Sequence, residues 1–267
     1  MSGSPNLAGA LLKHLSVREP ERFSHGEYLH VTDLYNSCFR QIYYSRSSGI
    51  PVERYIPATL RMLFEMGKIV EERVRSWLME MGIIYRDPQI LKNEDLKISG
   101  APDIRLLNNT IVDIKGMDPA VFRITARRPL SRHEFQMQSY LWLDKDGHFG
   151  KLFSATWGSK EKIPFRDHDI NYNLKTGEII KRYVSQLRNA ETGGRLPGRV
   201  CKSEKDPKAI ICPFRQRCFE EEGEGVQTIA EVLGGQRLLL SVLAGETKER
   251  ALWSISSPPG LVKTVLW

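Results

Sequence analysis

Between Leu96 and Lys115 the chain sets extended, apolar-rich stretches on either side of turn formers and ends in Asp-Ile-Lys. Leu96 to Gly100 and Ile104 to Leu107 read as strands, Asn108-Asn109 supplies a turn, and Thr110-Ile111-Val112 begins a return strand. Strand side chains alternate between faces, so Asp113 and Lys115 point one way while Val112 and Ile114 point the other. Hairpin pairing can then bring Asp103 alongside them. Carboxylate oxygens suit hard divalent cations, and a neighbouring ammonium can orient water and steady charge that develops on a phosphate. A hairpin with a solvated polar face carries the same letters, so the Asp-x-Lys alone does not decide.

The flanking segments bear on that choice. Residues 60–82 place Leu63, Met66, Val70, Val74, Trp77 and Met81 at steps of three and four, which predicts an amphipathic helix. Glu71 lies beside that stripe, one turn after Gly67, and can reach the edge of a cleft; a solvated helix charge is the plain alternative. Gly67 would let another backbone approach closely. After the hairpin, Ser131 to Glu134 forms Ser-x-x-Glu, a capping box that would start a helix at Ser131. Gln136 and Tyr140 then share a face, where an amide and a phenol can bind phosphate or a base edge and a ring can stack on a base.

In their order, Gly67-x-x-x-Glu71, Gly100-Ala101-Pro102-Asp103, Asp113-Ile114-Lys115 and Gln136-Met137-Gln138-Ser139-Tyr140 resemble the motifs of the RecB-like branch of the PD-(D/E)xK nuclease superfamily. The resemblance implies a restriction-endonuclease-like α/β core, a mixed central β-sheet flanked by helices. It implies that Asp103, Asp113 and the Ile114 carbonyl bind Mg²⁺ or Mn²⁺, that Lys115 is the catalytic lysine, and that Gln136 and Tyr140 contact DNA. Glu71 occupies the position where the family usually has histidine, and is expected to join the metal ligands and the catalytic set.

The chain has four cysteines, Cys38, Cys201, Cys212 and Cys218, three of them within an eighteen-residue window. Four thiolates close a tetrahedral zinc site or hold an iron-sulfur cubane, whereas a disulfide framework does not suit so long and cysteine-poor a chain. Unrelated buried thiols are the remaining alternative. The segments Ser37-Cys38-Phe39-Arg40 and Cys212-Pro213-Phe214-Arg215-Gln216-Arg217-Cys218 look like those that staple a 4Fe-4S cluster in Cas4-type and AddB-type nucleases. Ten residues separate Cys201 from Cys212, more than is common there, which keeps Zn²⁺ open. Either metal would tie the chain near position 38 to the chain near 210.

The expected organisation is an N-terminal segment over 1–58 with the first cysteine, a nuclease core over 59–190, a cluster-binding segment over 191–222, and a tail over 223–267 with no assigned role. Within the core, Lys151 to Trp157 and Ile163 to Phe165 read as strands and Thr176 to Ala190 as a covering helix. In the tail, Val226 to Leu243 reads as an amphipathic helix. A formal net charge of +7 favours a polyanionic partner. Arg123, Arg127, Arg128 and Arg132 cluster between hairpin and helix, and are read as a mobile DNA-contacting loop. No export signal, membrane span or phosphate loop of the Gly-x-x-x-x-Gly-Lys type is present, so the expectation is a cytoplasmic protein of a bacterial, archaeal or virus-infected cell, with any helicase, recombination or CRISPR partner acting in trans. The expected activity is a metal-dependent DNA exonuclease acting on single-stranded ends. The rival readings are a catalytically silent DNA-binding module and a zinc-stapled nucleic-acid adaptor.

Overall fold

The computed structural model describes residues 6–20, 27–35, 38–47, 53–83, 85–86, 90–144, 149–157, 163–193, 196–210 and 212–223. The tail reading falls outside them. In chain order the elements are α1 (Leu7–Leu15), β1 (Val17–Pro20), β2 (Leu29–His30), α2 (Val31–Leu34), α3 (Phe39–Ser47), β3 (Glu53–Ile56), α4 (Ala58–Glu80), β4 (Tyr85–Arg86), β5 (Leu91–Asn93) and β6 (Ile98–Gly100). They continue with β7 (Ile104–Leu106), β8 (Ile111–Met117), α5 (Pro119–Ile124), α6 (Ser131–Leu143), β9 (Phe149–Thr156), β10 (Phe165–Asn171), α7 (Leu174–Glu191), α8 (Pro207–Ile210) and α9 (Arg215–Glu220).

A five-stranded mixed sheet runs in the order β10-β9-β8-β7-β4, with β8 and β9 parallel and the other neighbours antiparallel. The sheet parts two apolar cores. Along β8, Val112 and Ile114 turn to one face and meet Val74 and Val70 of α4. Ile111 turns to the other, against a larger core built from α6 and α7 that includes Phe135, Met137, Tyr140, Ile180, Tyr183 and Leu187. This is the helix-sheet-helix layering expected of an α/β core. A second, three-stranded sheet, β2-β6-β5, packs on α6 through Leu29 and Ile98.

The β7–β8 hairpin forms as read, with Ile104 opposite Val112 and Arg105 opposite Ile111. Asn109 takes the left-handed conformation, φ 65°, that asparagine tolerates in turns. Lys97, read as part of a strand, instead sits at φ 48° in the turn before β6. The strand read at Ile163 begins at Phe165 and runs on to Asn171, because its partners lie along β9 from Ala155 back to Phe149. Asn173 caps α7 by accepting from the amides of Lys175 and Thr176, which sets the helix start two residues before the expected one.

The helix over 60–82 is present as α4, but its buried line differs. Val74 is buried, with Val70 and Leu78 packed beside it, a stripe of steps of four. Leu63 and Met81 of the expected stripe are exposed, and Trp77 lies at the surface edge-on to Phe165, 5.6 Å between ring centres. The reason is length. A helix of 23 residues spans about 34 Å, while the seven residues of β8 span about 23 Å, so α4 overhangs its sheet.

The capping box at Ser131 is not formed. Ser131 is already the first helical residue, the cap position falls on Leu130 without a side-chain bond, and the Ser131 hydroxyl is buried with no hydrogen-bond partner. The arginine segment is more ordered than a mobile loop. Asp118 accepts from the Ala120 amide to start α5 at Pro119, and Arg166 pins its end by donating to the Phe122 carbonyl at 2.6 Å. Arg123, Arg127 and Arg128 remain exposed on that anchored segment.

Candidate active site

Pro102 is buried at the link from β6, and it delivers Asp103 to the start of β7. The Asp103 amide donates to the Val112 carbonyl at 3.2 Å, and its Oδ2 accepts from the Ile114 amide. Asp103 is thereby held against the β8 strand that carries Asp113. That strand is paired along its whole length by β9 and, at Ile111 and Val112, by β7, and Asp113 is 1% exposed on it. Lys115, two residues on and facing the same way, brings Nζ to 2.7 Å from Asp113 Oδ2. The hairpin geometry thus joins the two aspartates and the lysine.

Glu71 reaches the same place from α4. Its Oε1 is held by Arg75 one turn later, at 3.0 Å, and Arg75 also donates to the main-chain carbonyl of Asp103. Arg75 was not singled out by sequence reasoning, though its i, i+4 spacing from Glu71 was a signal for an ion pair. A cleft of about 730 Å³ opens over the group, lined by Glu71, Asp103, Ile114 and Lys115, with Phe64, Gly67 and Lys68 along α4 and Thr32 opposite. The backbone approach expected at Gly67 is not made: a Cβ there would meet nothing within 4 Å among the described residues. Gly67 therefore opens the cleft floor.

The electrostatics are those of crowded acid. Burial, then the charge of Asp113, push the Asp103 carboxyl up to about 7, against the opposing pull of Lys115 and the Ile114 amide. Burial likewise raises Asp113, with Lys115 opposing and Glu71 adding to the rise. Although Lys115 Nζ is close, Asp113 Oδ2 lacks a well-directed hydrogen bond. Neighbouring buried carboxylates whose charged forms are disfavoured by burial and by one another fit the donor chemistry of a hard divalent cation. As they stand the carboxylates are turned onto Lys115, Arg75 and the Ile114 amide, and among the described residues no three acidic, histidine or cysteine side chains are arranged to hold an ion.

Tyr140 sits beneath this group, not beside a bound strand. Its ring is 1% exposed, its phenol accepts from Gln136 Nε2 at 2.7 Å, and burial followed by the charge of Asp113 raises its pKa. The stacking expected of it has no free ring face. Gly100 is the reason the ring fits: a Cβ at that position would lie 2.7 Å from the Tyr140 ring and 2.9 Å from Val31. Gln136 remains half-buried. His133, which the sequence did not mark, has its Nδ1 buried without a partner, and burial together with Arg132 and Lys115 lowers its pKa well below the usual range.

The four cysteines converge. Cys38 precedes α3, Cys201 follows α7, and Cys212 and Cys218 flank and join α9, yet all four line one cavity of about 30 Å³. Arg40, fully buried, donates to the carbonyls of Cys218 and Glu221, each at 3.0 Å, and Tyr44 donates to the Glu221 carboxylate at 2.8 Å. These bonds close a sequence separation of 177 residues or more. None of the four forms a disulfide. Burial, then Asp206 and the other three sulfurs, push Cys201 up to about 12, and burial raises Cys38. Such thiols keep their protons unless a cation replaces them.

Neither a family model nor a curated protein sequence matches the chain. Among solved structures it is similar to an alkaline exonuclease from Laribacter hongkongensis, with a TM-score of 0.51 and 13% identity over 69% of this chain and 93% of that one. The same exonuclease in complex with dAMP gives 0.51 and 13% over 62% and 89%. A phage-related exonuclease from Haemophilus somnus gives 0.40 and 19% over 49% and 71%. At this identity the Laribacter likeness is one of fold.

Proposed function

We propose that the chain is a metal-dependent DNA exonuclease acting on single-stranded ends. One observation carries the reading: Asp103, Lys115 and Glu71 line one open cleft, with Asp113 buried just behind them, its carboxylate 2.7 Å from the Lys115 ammonium. The exonuclease fold of the structural neighbours supports it. Asp103, Asp113, Glu71 and the Ile114 carbonyl would hold Mg²⁺ or Mn²⁺. When bound, the ion supplies Lewis-acid polarisation of a phosphoryl oxygen and lowers the pKa of water.

The chain's own groups do the rest. Asp113 holds the Lys115 ammonium in place at 2.7 Å, where it orients the attacking water and stabilises the charge that gathers on the phosphoryl oxygens. Water attacks phosphorus in line, the bond from phosphorus to the leaving sugar oxygen breaks, and that oxygen takes up a proton. Lys68 and Arg61 on α4 add positive potential along the cleft. Gln136, Arg123, Arg127 and Arg128 extend the DNA-binding surface.

At the cysteines, the four side chains line one cavity, and as thiolates they would hold a 4Fe-4S cluster, or in its place a single Zn²⁺, as a structural tie.

The test is digestion of single-stranded DNA labelled at the 5′ or 3′ end, in Mg²⁺ and in Mn²⁺. Progressive loss from one end is expected, with Asp113→Ala and Lys115→Ala each slower by at least ~100-fold. Hydrolysis that persists in both variants refutes this site, and binding without cleavage in either metal identifies a silent DNA-binding module.

A further inference from the structure

The cleft needs a surface for the bases of the strand whose phosphate it cuts, and Tyr140, the ring the sequence offered, is sealed in the core. The structure assigns that role to Phe64, as a stacking platform for one base of a single strand; this rests on the nuclease reading of the same cleft. Phe64 is 41% exposed and lines the cleft with Gly67, Lys68 and Glu71. These positions follow 64, 67, 68 and 71, the spacing of a single helix face. Along the axis Phe64 stands about 10 Å from Glu71, so a base there belongs to a nucleotide next to or near the one being cut.

Three features favour a nucleic-acid strand as occupant. The first is the open floor at Gly67, where nothing described lies within 4 Å of a would-be Cβ, so sugar and phosphate can pass between ring and carboxylates. The second is charge. Arg61 and Lys68 line the cleft with the ring, and the Lys68 contact to Glu65, at 3.8 Å, is a solvent-facing pair of the kind that reorganises at little cost when a phosphate arrives. The third is the contrast with Trp77, the other aromatic of α4, which is already engaged edge-on by Phe165 and faced by the Arg73 guanidinium at 5.0 Å. An exposed ring that shares its cleft with cations, continuous with an acidic site, is how proteins hold unpaired bases without reading their sequence.

The experiment uses the full chain and single-stranded oligonucleotides carrying 2-aminopurine at successive positions from either end, in Ca²⁺, with recovery of intact DNA checked. Stacking quenches this base. One position should be quenched in the wild type and in Phe64→Tyr, and not in Phe64→Ala or Phe64→Leu, with Phe64→Ala binding about tenfold more weakly. An abasic nucleotide at that position should make wild type and Phe64→Ala bind alike. Quenching and affinity unchanged in Phe64→Ala overturn the assignment, as does Phe64→Leu matching the wild type, which would mark a merely apolar contact. Cleavage that depends on Asp113 but without a Phe64-dependent quench removes this inference and leaves the nuclease. A Phe64-dependent quench with no cleavage does the reverse, and absence of any binding removes both.

Discussion

Asp103→Asn should make the metal-free protein more stable, and increasingly so as pH rises. The carboxyl is lifted from 3.8 to about 7 because ionising it puts a second charge beside Asp113 in a poorly solvated place. The folded state therefore holds this proton more tightly than the unfolded chain does. Below pH 3.8 both states are protonated and nothing is lost; stability then falls as pH rises, and the loss is complete above about 7. At about 1.4 kcal/mol per pKa unit, the rise corresponds to at most ~4 kcal/mol at pH 8 and to roughly 2 kcal/mol at pH 5. Asparagine keeps the shape, can still accept from the Ile114 amide, and carries no charge. Urea unfolding in EDTA across pH 5 to 8 should show the variant pulling ahead by about 2 kcal/mol over that range. Adding Mn²⁺ should then stabilise the wild type and leave the variant nearly unmoved, since only an ion held by the folded state contributes. A variant advantage equal at pH 5 and pH 8 would refute the electrostatic account.

Gly100→Ala should cost about 1–3 kcal/mol by overpacking, since its Cβ meets the Tyr140 ring and Val31 below 3 Å; thermal melting checks this, and an unchanged midpoint would mean the ring shifts freely. Cys201→Ser should lose bound metal and lower the melting temperature, read by elemental analysis beside calorimetry. A brown, anaerobically purified protein with iron and sulfide is expected, whereas a colourless protein with one zinc per chain would replace the cluster by a single ion.

The hairpin was legible because its instructions are local. A period of two and a turn at Asn108-Asn109 specify β7 and β8 whatever else surrounds them. Helix α4 was legible as a helix, and Val70 and Val74 of its buried line with it; Leu78 in place of Trp77 was not, because that choice is made by the short sheet beneath the helix. Tyr140 was placed on the correct helix and given the wrong surroundings: its burial depends on the absence of a side chain at Gly100, forty positions earlier. The clamp by Arg75 combines a local pair with a contact to Asp103 that no spacing discloses. For the cysteines, their number pointed to one site, and the long gap from Cys201 to Cys212 is absorbed by α8.

The central position of β8 has a consequence for motion. Asp113 and Lys115 ride on the strand that β9 pairs from Ile111 to Met117, so its hydrogen exchange should approach the limit set by global unfolding. The outer turns of α4, with Met62 and Leu63 facing solvent, lack that support and should exchange through local opening. On the proposed nuclease function the cleft would then act as a vice with one fixed jaw and one compliant jaw: the aspartates and lysine held on the rigid side, and admission of a strand set by how readily the helix opens.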